Sequence, residues 1–178
     1  MPARLIVFAG PPCAGKSTVA AEVAARRGLP HLQMDGTRRR ILPDAAHTRA
    51  DREVAYRAMH FAAELLLTAG TGVILDAPYG HPEDRCEVAA IAARTGAAAL
   101  LVECAVPPAV AVARFAARGP DPVRLDLTAE RVDAMVREFR YSRLGLLLDT
   151  ATLDPIACAR RVEEWLERDE TSDLGGWA

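Results

Sequence analysis

Eight residues, Gly10-Pro11-Pro12-Cys13-Ala14-Gly15-Lys16-Ser17, constrain this chain more than any other stretch. They follow the apolar run Leu5-Ile6-Val7-Phe8-Ala9 and lead into Ser17-Thr18-Val19-Ala20-Ala21-Glu22-Val23-Ala24-Ala25. A short, continuous apolar run bounded by glycine and proline predicts a buried strand, and the segment after the loop predicts a helix. Strand, glycine loop and helix in that order form the setting that G-x-x-x-x-G-K-[ST], the Walker A pattern, requires. Gly10 and Gly15 let the backbone curl until successive N–H groups point inward. The helix adds its unsatisfied donors and the positive end of its dipole. Such a loop grips phosphate oxygens. Gly10, Pro11, Pro12, Cys13, Ala14, Gly15, Lys16, Ser17 and Thr18 are expected to line it. Lys16 is the mobile cation for β- and γ-phosphates, and Ser17 the hydroxyl ligand for Mg²⁺.

The rest of the chain continues the alternation. Strands are expected at Leu5–Ala9, His31–Met34, Gly72–Leu75, Ala97–Cys104 and Leu144–Leu148. Helices are expected at Lys16–Arg27, Ala50–Ala69, Pro82–Arg94, Pro107–Arg118, from an N-cap at Thr128, and from Asp154-Pro155 to about Arg168. On the long helix, Val54, Ala58, Phe61 and Leu65 recur at helical spacing and mark its expected apolar face, with Arg52, Tyr56 and His60 beside it read as ordinary amphipathic surface, contact with an acceptor being the alternative. The helix after Thr128 has its apolar face at Val132, Met135, Val136 and Phe139. Five short strands separated by helices mean an α/β fold with a parallel sheet. At 178 residues a single domain over 1–168 is expected, with 169–178 a flexible polar tail.

A net charge of −2 supplies no basic field to gather nucleic acid. The four cysteines, Cys13, Cys86, Cys104 and Cys158, form no C-x-x-C pair and fit free thiols in a reducing cytoplasm. No signal peptide and no membrane span are expected.

In sheets of this kind ligands sit beyond the carboxyl ends of the strands. Asp35, Asp76 and Asp149 each follow a predicted strand, so they share the edge that carries the glycine loop. Asp35 and Arg38 share a face if the chain turns helical there. A phosphoryl-transfer site needs a carboxylate to orient an acceptor hydroxyl and a cation to hold oxygens; capping of a helix is the competing use of Asp35. Asp76, ending Gly72-Val73-Ile74-Leu75-Asp76, is the Walker B pattern. The two compete as base; the base is assigned to Asp35 and metal support to Asp76. Arg114 and Arg118 share a helix face before the break Gly119-Pro120-Asp121-Pro122, a flexible cover, and Arg124 lies just beyond it. Arginine suits a transferring phosphoryl group, and Arg118 is the better placed. One of Arg38, Arg39 and Arg40 is expected to be functional. Cys13 reads as space-filling, and Pro78-Tyr79-Gly80-His81 as a plain turn, with the lining of an acceptor pocket as the alternative.

Together Gly10–Ser17, Asp35 with Arg38, the Gly72–Asp76 strand and Arg114/Arg118 resemble small P-loop kinases. The group is that of AAA_33-type, zeta-toxin and polynucleotide-kinase-like proteins, with relatives similar to chloramphenicol phosphotransferase. The resemblance covers roughly residues 3 to 168. It implies a three-layer sandwich with sheet order 2-3-1-4-5, a short lid, ATP with Mg²⁺ as donor, and a hydroxyl acceptor. It further implies Asp35 as base, Arg38 near acceptor or phosphate, Arg118 in the lid, and Asp149-Thr150-Ala151 bordering adenine. Two departures stand out: Gly36 follows Asp35 where many relatives carry a second acid, and the lid is short with two prolines.

The expected function is therefore an ATP-dependent kinase acting on a small hydroxyl compound such as a nucleoside, sugar or antibiotic, as monomer or homodimer. A 5′-hydroxyl polynucleotide kinase and an ATP-dependent switch are the alternatives. Missing elements count against a GTPase: Ala77-Pro78-Tyr79 follows Asp76, and the chain contains no asparagine for an Asn-Lys-x-Asp base reader.

Overall fold

The computed structural model describes residues 2–44, 48–119, 127–168 and 171–177. Five strands, β1 (Arg4–Ala9), β2 (His31–Gln33), β3 (Val73–Asp76), β4 (Ala98–Ala105) and β5 (Leu146–Asp149), form one sheet in the order β2-β3-β1-β4-β5. All pairings are parallel, with Leu5 opposite Val73 and Val7 opposite Leu101. The helices between them are α1 (Lys16–Arg27), α2 (Met34–Ile41), α3 (Arg49–Thr68), α4 (Pro82–Thr95), α5 (Pro108–Arg118), α6 (Ala129–Glu138) and α7 (Pro155–Glu167).

Because strand side chains alternate, β1 feeds two cores. Ile6 and Phe8 face α1, α5, α6 and α7 through residues such as Val19, Val23, Ala111, Val132 and Val162. Leu5, Val7 and Ala9 face α3 and α4 through residues such as Met59, Ala63, Val88 and Ile91. A central strand buried on both sides must read as an unbroken apolar run, which is how β1 reads.

Four expectations are corrected. Strand two ends at Gln33, and Met34 and Asp35 belong to α2. On α3, Val54, Phe61 and Leu65 are exposed. The buried face is instead Ala55, Tyr56, Met59, His60, Ala63 and Leu67, because small alanines admit the sheet and the Tyr56 and His60 rings find ring partners below. The helix α6 stops at Glu138, and Phe139 is already extended. The tail does not fray along 171–177. Ser172 bonds the start of β4, its N–H donating to Ala99 O at 2.8 Å and its Oγ accepting from Leu101 N–H at 3.0 Å. Leu174, in a short 3₁₀ turn (Leu174–Gly176), and Trp177 are buried in the α3/α4 core.

One glycine shapes the outer strand. At Gly145 a Cβ would collide with the Leu101 carbonyl, so β5 can approach β4 only through a residue without one. The described cysteines are free thiols, as expected. No helix among the described residues is long and apolar enough to cross a membrane.

Candidate active site

The glycine loop leaves the carboxyl end of β1 and closes on the N-terminus of α1. Gly10 has φ 146°, and a Cβ there would stand 2.6 Å from the Cys104 carbonyl oxygen, so the loop passes β4 only as glycine. Gly15 caps α1 in the left-handed conformation without a side-chain bond, and no acidic residue lies in the first turn. The Thr18 N–H already donates to Gly15 O at 3.1 Å, so the amides at the very start of α1, those of Lys16 and Ser17, are the ones that can turn to a ligand, with the dipole favouring an anion. Lys16 is buried and donates from Nζ to Pro11 O at 2.9 Å. Burial lowers its pKa, partly offset by Asp76, Cys104, Asp35 and Cys13.

Asp76 ends β3 beside this lysine. Gln33 Nε2 donates to its Oδ2 at 3.0 Å, and His31 Nε2 lies 3.4 Å from the same oxygen. Burial alone would raise its proton affinity; His31, Lys16, Ser17 and Gln33 outweigh burial and hold the carboxyl below its ordinary value. A fixed, ionised carboxylate next to the Ser17 hydroxyl is a donor pair that a hard divalent cation takes.

Asp35 stands in the first turn of α2. The N-cap is Gln33, so Asp35 is not spent as a cap. Its side chain is 44% exposed, and Arg38 Nε lies 4.0 Å from its Oδ1. Arg38 itself is 1% exposed.

One cavity of about 380 Å³ joins these groups. Lys16, Ser17, Asp76, Asp35 and Arg38 all line it. Arg118 at the end of α5 lines it as well; Arg124 and the break from Pro120 to Pro122 lie outside the described residues. Met135 and Phe139, expected on a buried helix face, are half-buried and line the cavity instead. Phe139 begins the extended link into β5. Buried Glu103 anchors that link by accepting the N–H groups of Ser142 at 2.8 Å and Arg143 at 2.9 Å.

Arg114, Asp149 and Thr150 do not line this cavity. Arg114 donates to Cys13 O at 3.3 Å, to Thr150 Oγ1 at 3.1 Å and to Thr150 O. The Thr150 hydroxyl lies 2.9 Å from Ala14 O. Together they brace the outside of the glycine loop against the end of β5. Asp149 accepts Ala151 N–H at 2.9 Å and closes its own turn.

Sequence reasoning set aside or missed several wall residues. Arg52 and Tyr56, taken as surface, line the cavity with Arg49 from the first turns of α3. Their spacing of three and four residues was the available signal. Arg39 and Arg131 also line it, and for Arg131 no pattern stood out. Of the turn Pro78–His81, three residues line the wall, while Tyr79 turns into the core at φ 51° and stacks on His60.

The AAA_33 family, an AAA domain, matches residues 5–141. An uncharacterized Mycobacterium tuberculosis protein is 31% identical over 160 residues, covering 83% of this chain; the chain spans 32% of that relative's length. Among solved structures, a Mycobacterium tuberculosis APS kinase in complex with AMPPNP and APS superposes with a TM-score of 0.73 at 23% identity, covering 94% of this chain and 99% of that one. A sugar kinase from Janibacter superposes at 0.70 with 20% identity, over 93% and 95% of the two chains. The strand order, the glycine loop and the family match agree: the chain belongs to the AAA_33 family and has the fold of the P-loop kinases.

Proposed function

We propose that the chain transfers the γ-phosphate of ATP to a hydroxyl of a small molecule, with Asp35 as general base. One observation carries this reading. A carboxylate not used as a cap, Asp35, shares a cavity with the phosphate-loop residues Lys16 and Ser17. A nucleotide-binding switch has no need of that second carboxylate. The APS kinase that shares the fold is in complex with both AMPPNP and APS, which supports a donor and acceptor arrangement here.

In this reading the loop amides and Lys16 hold the β- and γ-phosphates. Mg²⁺, held by Ser17 with Asp76 supporting it, would neutralise developing phosphate charge. Asp76 is a poor base because its proton affinity is depressed. Asp35, half-exposed toward the cavity, takes the acceptor proton. Arg118 stabilises charge on the transferring group, where its fork matches phosphoryl oxygens. Arg114 acts by holding the loop. The free thiols suit a cytoplasmic setting.

The test is ATP turnover against hydroxyl acceptors, read by product mass. The wild type is expected to yield a phosphorylated acceptor, and Lys16→Ala none. ATP hydrolysis that is indifferent to every acceptor would favour a switch and overturn the proposal.

A further inference from the structure

Helices α4 and α6 pack on opposite faces of the sheet, through Val88 and Ile91 on one and Val132 and Val136 on the other. Arg85, in the first turns of α4, nevertheless reaches the chain that leaves α6. It donates from Nε to Tyr79 O at 2.6 Å and from Nη2 to Arg140 O at 3.4 Å. Its guanidinium lies 5.7 Å from the centre of the Trp177 ring, so the packed segment 171–177 serves as its platform.

Both carbonyls belong to segments of the cavity wall. Pro78, Gly80 and His81 line the cavity around Tyr79, and Phe139 lines it one residue before Arg140. Arg85 itself does not line it. The turn at Tyr79 follows β3, the neighbour of the strand that leads to Asp35. It also touches the glycine loop, since Gly10 N–H donates to Pro78 O at 3.2 Å.

Neither segment rests in a conformation that its own residues favour. Tyr79 has φ 51° and, in the link after α6, Arg143 has φ 59°. Side chains other than glycine hold left-handed backbone only where the surroundings impose it. At Tyr79 the N–H donates to Tyr56 Oη at 3.2 Å, the ring stacks on His60 and packs on Trp177, and the carbonyl is taken by Arg85. In the link Glu103 holds the Ser142 and Arg143 amides to the sheet, and Arg85 holds Arg140 to the turn. Two carbonyls approached from two nitrogens require a fork, which arginine has and lysine lacks.

Resting on the phosphotransfer reading, we propose that Arg85 is a positioning residue for the acceptor. By bonding both carbonyls it fixes the turn 78–81 and the link after α6 relative to each other, and so shapes the part of the cavity that the acceptor must fit. It acts through backbone that lines the site and touches neither substrate.

The test has an exchange arm and a turnover arm, both on the full chain. In the first, amide hydrogen exchange is compared without ligand in wild type, Arg85→Gln and Arg85→Lys. The Tyr79, Ser142 and Arg143 amides, all hydrogen-bonded, are expected to exchange at least about fivefold faster in Arg85→Gln, while β1 amides keep the wild-type rate and show that the fold is intact. Arg85→Lys is expected to hold the nearer carbonyl, that of Tyr79, and to loosen the link alone. In the second arm, an acceptor found by product mass is titrated at saturating MgATP. Its KM is expected to rise at least about tenfold in Arg85→Gln, with the KM for MgATP within about twofold of wild type.

Unchanged exchange at Ser142 and Arg143 in Arg85→Gln would overturn the proposal, as would an unchanged acceptor KM. Loosening of both segments in a protein that phosphorylates no acceptor would uphold the clamp and overturn phosphotransfer instead.

Discussion

Two buried titratable residues near the site are driven in opposite electrical directions. Asp76 is kept charged because its neighbours outweigh burial. His60 is kept neutral: burial pulls its pKa down to about 4 against a weaker opposing effect of Glu87, and its Nε2 lies 3.3 Å from Tyr79 Oη. The unfolded chain takes up this proton near the ordinary value of 6.5. Between pH 6.5 and about 4 the unfolded state therefore binds more protons, and stability falls as pH falls. The slope from this group is at most about 1.4 kcal/mol per pH unit. Denaturant midpoints measured across that window are expected to fall less steeply in His60→Gln than in wild type; equal slopes would contradict the assignment. At this scale the loop was legible because Gly10, Lys16 and Ser17 form a local pattern in the chain. Arg38 was legible as a candidate, but its deep burial was not. Burial depends on α3 covering α2, which no short window of sequence expresses.

The elements divide along similar lines. The helix α3 begins with a complete capping box: Asp51 N–H donates to Thr48 Oγ1 at 3.2 Å, and Thr48 N–H to Asp51 Oδ2 at 2.8 Å. Thr48→Ala is expected to cost about 1 kcal/mol in urea unfolding. Phe61 is 65% exposed, so Phe61→Ser is expected to change stability by less than about 0.5 kcal/mol. A loss of core size at Phe61 would restore the face read from the sequence. That reading went astray because hydropathy ranks Phe and Leu above Tyr, His and Ala, while the sheet below α3 selects for close approach and ring contacts. The helix boundaries were legible to within a residue or two wherever Gly or Pro punctuates them, as at Gly28, Gly96 and Pro155. Short α2 was not, since eight residues with three consecutive arginines carry little helical pattern.

Across the whole molecule, the sheet places the loop, Asp76 and α2 at one edge, which is why residues far apart in sequence share a cavity. Alternation of strands and helices made the α/β class legible, and the order β2-β3-β1-β4-β5 came through resemblance. The packing of residues 171–177 was illegible: Leu174 and Trp177 stand isolated among polar residues and glycines, without periodicity. Trp177 packs on Tyr79 at 5.3 Å between ring centroids, with the Arg85 guanidinium 5.7 Å from its ring. Trp177→Ala is expected to destabilise by about 3–5 kcal/mol in urea unfolding, and a change within about 0.5 kcal/mol would mean that the tail is dispensable. In the proposed reaction Asp35 performs chemistry rather than nucleotide binding. The decisive experiment is single-turnover phosphoryl transfer by Asp35→Ala, measured beside its MgATP affinity. Transfer is expected to fall at least about a hundredfold with ATP affinity unchanged; transfer at the wild-type rate would remove Asp35 from the chemistry.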